Sequence, residues 1–127
     1  MRLDKHDIPV KINVPGATAR QLTAFGSADG PLAAEYFSLW SGTDIAPLLV
    51  GLQDDACQAA HWGYMISGAV VVSYTDATTE RCAAGEVFHW PAGHSVRVEE
   101  DAEIILFSPD EAHAAVMNHM LAAMAAT

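Results

Sequence analysis

The chain has 127 residues and a mass of 13.5 kDa, the size of one ordinary domain, and 51% hydrophobic residues against 17% charged exclude global disorder. Six Lys and Arg stand against 16 Asp and Glu, a net charge of −10, which repels phosphate backbones and excludes nucleic acid and anionic membranes as partners. No apolar run is long enough to span a bilayer, and the charged start Met1-Arg2-Leu3-Asp4 has no apolar stretch behind it, so neither a membrane helix nor a signal peptide is expected.

The predicted elements are short strands followed by one helix. In Asp7–Val14, Ile8, Val10, Ile12 and Val14 alternate with other residues, the period of a half-buried strand. Pro9 demotes that strand to a sheet edge or to the arm of a neighbouring subunit. Pro15-Gly16 marks a turn and Gly26–Pro31 a loop. Two apolar runs, Glu35–Trp40 and Ile45–Leu52, follow. The densest strand signal is His61–Ile66, a turn at Ser67-Gly68, then Ala69–Thr75. Further extended segments are Arg81–Ala84, Glu86–Trp90, His94–Glu99 and Glu103–Phe107, with a solvated acidic turn at Glu99-Glu100-Asp101. Strands at this spacing point to a sandwich or barrel. Ser108-Pro109-Asp110-Glu111 reads as a capped helix start, and Val116, Met120, Ala123 and Met124 recur at helical spacing, so a helix is predicted over 109–125. The expected organisation is one domain: N-terminal strands over 1–47, a barrel core over 48–108, and the helix over 109–127.

Strand parity adds a directional statement. His94, Val96 and Val98 share one face, and Ser95, Arg97 and Glu99 the other. The first set is more apolar and should face inward, carrying His94 with it. His61, Gly63 and Met65 likewise share a face, so His61 reaches the interior. Trp62 and Tyr64 project the opposite way, to fill space between sheets or at a dimer contact. His89 is expected on the outer face, while His113 and His119, six positions apart, cannot pair as ligands and are expected in solvent.

Two stretches carry the candidate chemistry: Asp55-Ala56-Cys57-Gln58-Ala59-Ala60-His61 with Gly68 beyond it, and Gly85–His94, in which Gly85 is followed by Pro91-Ala92-Gly93. The second resembles the second motif of the cupin superfamily, where a strand ends at a Pro-x-Gly turn and the next strand brings a metal-binding His. The first resembles the first cupin motif, whose closing Gly corresponds to Gly68; Asp55, Cys57 and His61 then stand where the family usually carries His, His and Glu. The resemblance covers about half of the chain, residues 48 to 109, and is similar to small bacterial single-domain cupins with a Cys four residues before His-Trp-Gly-Tyr. It departs from the family at Val96, the usual place of the second-motif ligand, because the histidine here directly follows Gly93.

The resemblance implies an all-β cupin jelly-roll barrel with a C-terminal helix. It also implies a metal site of His61, His94 and Cys57, with Asp55 as fourth ligand or supporting partner. Two imidazoles and a thiolate suit Zn, with Fe, Mn or Cu as alternatives. An open position would let such a site activate water or O2. Against this stands the plainer possibility that Cys57 is a small buried hydrophobe and the histidines bond to each other or to backbone.

Cys57 and Cys82 are too few for a disulfide framework and fit a reducing cytoplasm as two thiols. Three functions remain open: a metal-dependent enzyme acting on a small molecule, a non-catalytic small-molecule-binding cupin, and a metal-free structural cupin. The Pro9 strand and the apolar helix lead to the expectation of a homodimer.

Overall fold

The computed structural model describes residues 1–126. Eight strands form one antiparallel sheet that wraps over on itself: β1 Val10–Val14, β2 Ala17–Leu22, β3 Ser27–Ala28, β4 Gly30–Leu39, β5 His61–Tyr74, β6 Thr79–Ala83, β7 Val87–Trp90 and β8 His94–Pro109. The strand order is β1-β2-β4-β8-β5-β6, with β3 beside β4 and β7 beside β5. The strand after Pro9 is indeed a sheet edge. Among the described residues one α-helix, α1 Asp110–Ala125, follows β8. Among the described residues no helix is long and apolar enough to cross a membrane.

Two strands are longer than their sequence pattern indicates. Ser67-Gly68 reads as a turn, but β5 runs through it with shifts of register against β8. The acidic run Glu99–Asp101 is likewise extended strand. The reason is a change of pairing partner in mid-strand. The first half of β5 pairs with β7 and with Ile104–Phe107 of β8, whereas the second half pairs with β6 and with the start of β8. Gly68 makes the bend: its φ is +76°, and a Cβ there would stand 2.0 Å from the carbonyl oxygen of Asp101. Only glycine supplies that backbone without a clash.

Side chains from both halves of the sheet meet in one core, with Met65, Val70, Val72, Val98, Ile104 and Leu106 all at 2% exposure or less. A second cluster lies between the sheet and α1, where Val116, Met117 and Met120 pack with Ile12, Leu49 and Ala59. The apolar run Ile45–Leu52 is not a strand. Its Ala46–Leu49 portion is a 3-10 turn with Pro47 near the start, and it supports the helix. The helix begins one residue later than expected and Ser108 does not cap it; that hydroxyl is buried and bonded elsewhere.

Candidate functional site

The site forms where two strands begin. His61 opens β5 and His94 opens β8, and both side chains are buried, at 4% and 1% exposure. The parity reading therefore holds for both. His61 pairs across the sheet with Trp90, the last residue of β7, and the Pro91-Ala92-Gly93 turn returns the chain at once into His94. Cys57 lies beside this turn through backbone pairing: its N–H donates to the His94 carbonyl at 2.8 Å, and its carbonyl accepts from Gly93 N–H at 2.7 Å. Gly93 (φ +92°) lets these backbones approach Thr75, which a Cβ would meet at 3.1 Å.

The imidazole rings of His61 and His94 stand 5.0 Å apart, centre to centre. Cys57 Sγ is 3.6 Å from His61 Nε2. Ligand atoms of Cys57, His61 and His94 all lie within 4.8 Å of one another. Asp55 is not with them. It ends the short turn Gln53–Asp55 with positive φ, is exposed, and accepts a hydrogen bond from Gly51 N–H at 3.0 Å. The left-handed backbone at Asp54 and Asp55 carries that carboxylate to the surface.

Behind the histidines lies a buried hydrogen-bond network. His61 Nδ1 is 2.6 Å from Ser108 Oγ, and the Ser108 hydroxyl donates to Glu35 Oε1. The other Glu35 oxygen accepts from Gln21 Nε2 at 2.9 Å and from His113 Nδ1. Glu35 is fully buried, Ser108 likewise, and His113 is at 4% exposure. A hydroxyl has one hydrogen, and Ser108 gives it to Glu35, so His61 Nδ1–H is the donor to Ser108 and Nε2 carries the lone pair. His94 reaches the same state by another route, its Nδ1–H donating to the Pro91 carbonyl at 2.8 Å.

The electrostatics favour the uncharged forms of His61, His94 and Cys57. Burial, with His113 and His94 close by, holds the His61 imidazole well below its ordinary pKa. Burial lowers His94 too, opposed by its bond to the Pro91 carbonyl. The Cys57 thiol is pushed up to about 11, chiefly by burial, against the Ala59 carbonyl that it reaches at 3.7 Å.

The donor set fits a transition metal. Both histidines have Nδ1 already held by an orienting partner, which leaves Nε2 for an ion, the usual arrangement for ligating imidazole. A sulfur and two nitrogens are the donors that zinc takes, with room for a fourth. Glu35, His61 and His113 also come within ligand distance of one another. There, however, the carboxylate oxygens and both Nδ1 atoms are already engaged with protein partners, so this group acts as support.

The site is the floor of a cavity of about 140 Å³. Cys57, His61, His94 and His113 line one end, and Phe37, Trp90, Ile104, Val116, Met117 and Met120 line its apolar walls. The exposed residues Val14, Pro15 and Asp44 mark the open end. Trp90 stacks on Phe88 and donates its indole N–H to Cys82 Sγ at 3.4 Å.

No protein-family model and no curated protein matches the sequence. Solved structures do match the fold. A variant of oxalate decarboxylase from Bacillus subtilis superposes with a TM-score of 0.62 at 22% identity, over 85% of this chain and 29% of that one. Ectoine synthase from P. lautus gives 0.60 at 13% identity, over 87% and 78% of the two chains. The polyketide cyclase RemF from Streptomyces resistomycificus gives 0.58 at 17% identity, over 86% and 78%. The chain has the cupin fold. It spans less than a third of the oxalate decarboxylase chain, and at these identities the likeness extends to architecture alone.

Within this fold, four buried polar residues escaped the sequence reading: Gln21, Glu35, Ser108 and His113. Signals for the last three were present. Glu35 has the parity of Phe37 and Leu39 on β4, and Ser108 that of Ile104 and Leu106 on β8. His113 is three residues before Val116 and seven before Met120, on the packed stripe of α1, so its expected place in solvent is wrong. His119 is partly exposed, with Nε2 2.8 Å from the Val50 carbonyl. His89 is on the outer face as expected, stacked against Trp62 at 4.8 Å.

Proposed function

We propose that this cupin holds one divalent transition metal through Cys57, His61 and His94 and uses it to bind or act on a small molecule in the adjoining cavity. Zn is the first choice for a sulfur and two imidazoles, with Fe, Mn or Cu as alternatives. The observation that carries the reading is the pair of tied-back imidazoles: Ser108 holds His61 and the Pro91 carbonyl holds His94, each at Nδ1. When bound, the ion would supply Lewis-acid polarisation of a polar group on the occupant. The chain's own residues orient and exclude. Ser108 and Glu35 keep His61 in one tautomer, and Phe37, Ile104 and Met117 keep water from the floor. Asp55 takes no part, because its carboxylate is bonded at the surface.

Metal-free binding is the second reading. One observation favours it: Cys57 Sγ and His61 Nε2, 3.6 Å apart, satisfy each other as a thiol–imidazole hydrogen bond. Elemental analysis of protein purified without a His tag decides between them. One equivalent of metal, lost in His61→Ala and His94→Ala variants that remain folded by circular dichroism, is the expected result. No metal after reconstitution with Zn²⁺, Fe²⁺, Mn²⁺ and Cu²⁺ overturns the first reading.

We also propose that the protein is a cytoplasmic homodimer. Two buried thiols, Cys57 and Cys82, suit a reducing compartment, and Trp62, Tyr64 and Phe107 form an exposed aromatic face suited to a second copy.

A further inference from the structure

The cavity floor holds one polar group that the metal reading does not use. His113 reaches it from α1, with its ring 4.3 Å from that of His61 and 4% of the residue exposed. Its Nδ1 is bonded to Glu35, a carboxylate with no solvent exposure that already accepts from Ser108 and Gln21. Among the described residues nothing bonds to the other ring nitrogen, Nε2. In the neutral ring, Nδ1–H is committed to the carboxylate and Nε2 is a hydrogen-bond acceptor that lines the void.

Size and polarity restrict what can meet that acceptor. A void of about 150 Å³ takes a molecule the size of benzene, and this one is about 140 Å³. The walls offer carbon and thioether sulfur. An anionic occupant is disfavoured by the net charge of −10 and by Asp44 at the open end. A cationic one would lose its hydration among apolar walls, where both Glu35 oxygens are already engaged by Ser108, Gln21 and His113.

We propose that the occupant is a small neutral molecule, one aromatic ring or an aliphatic skeleton of similar size, carrying a hydroxyl that donates to His113 Nε2. Glu35 is the positioning residue that holds the His113 ring in the accepting tautomer. The inference rests on the cavity being the binding site, as proposed above, and not on the metal.

Phenol, anisole and toluene test this by calorimetry on the chelator-treated, metal-free protein and on its zinc-loaded form. Phenol is expected to bind about tenfold more tightly than either analogue, the worth of one buried hydrogen bond. Anisole keeps the oxygen but has lost the hydrogen, so it isolates the donor. His113→Leu should bring phenol and toluene to within about twofold of each other. A second measurement needs no variant: saturating phenol should shift the His113 Nε2 ¹⁵N resonance of the wild-type protein.

Equal affinity for phenol and anisole overturns the proposal. So do a phenol preference that survives His113→Leu, an unmoved His113 resonance, or no binding of any probe at about millimolar concentration. A phenol preference in a protein that takes up no metal removes the metal reading and leaves this one. Metal uptake without the preference does the reverse.

Discussion

The Ser108 hydroxyl donates its one hydrogen to Glu35, and that bond determines which nitrogen of His61 carries a proton. The neighbouring strands β4 and β8 bring Glu35 and Ser108, which sit diagonally across the pair (Ser108 opposite Ala33, Glu35 opposite Leu106), while β5 supplies the histidine. A chain of donors thus runs from the cavity floor to a carboxylate sealed from water. A buried polar network of this kind contributes little to stability by itself; here it holds two imidazoles in fixed orientation.

Removing the hydroxyl tests that role. Ser108→Ala leaves His61 Nδ1–H and one Glu35 oxygen unpaired, at a cost of about 1–3 kcal/mol. Loss of an outer partner of a ligating histidine should also weaken zinc affinity about 10- to 100-fold. Urea unfolding and chelator competition measure the two effects. Unchanged affinity would mean that His61 is oriented by other groups.

Zinc affinity should rise with pH across the neutral range, and the cause is the sulfur. His61 and His94 have depressed pKa values, so both are already neutral there and release no proton on metal binding. Cys57, raised to about 11, must lose its thiol proton. One proton leaves per ion bound, so affinity should climb about tenfold per pH unit from pH 6.5 to 8.5. A plateau in that interval would show that the thiolate is not a ligand.

Gly68→Ala should be among the most destabilising surface-to-core changes in the chain. The new Cβ meets the Asp101 carbonyl oxygen at 2.0 Å, backbone that cannot rotate away, and φ is +76°. The expected loss is about 3 kcal/mol or more in chemical denaturation. A loss below about 1 kcal/mol would mean that β5 can bend elsewhere.

The outward aromatic face predicts its own result. Trp62 is 47% exposed and Tyr64 44%, and His89 stacks on Trp62. Light scattering should give twice the chain mass for the wild type and the single-chain mass for Trp62→Glu. A monomeric wild type removes the dimer.

How much of this was legible in the residues depends on the range of the physics involved. Alternation along a strand reports which face a side chain takes, because successive Cβ atoms point opposite ways. That was enough to turn His61 and His94 inward and Trp62, Tyr64 and His89 outward. Helical spacing and the Pro109-Asp110-Glu111 start placed α1 to within a residue, and the two motif stretches indicated the cupin barrel.

Parity does not say who stands opposite. Ser67-Gly68 looks like a turn locally, and only the crossing against Asp101 makes it a bend within one long strand. Glu35, Ser108 and His113 come from β4, β8 and α1, and no spacing relates them. Their meeting was decided by the register of β4 on β8 and by the packing of the helix over the sheet. Asp55 shows the converse: its place in the motif suggested a ligand, but a left-handed turn aims the carboxylate outward. Local backbone preference is written in neighbouring residues, whereas a buried polar network exists only once distant strands have closed around it and excluded water.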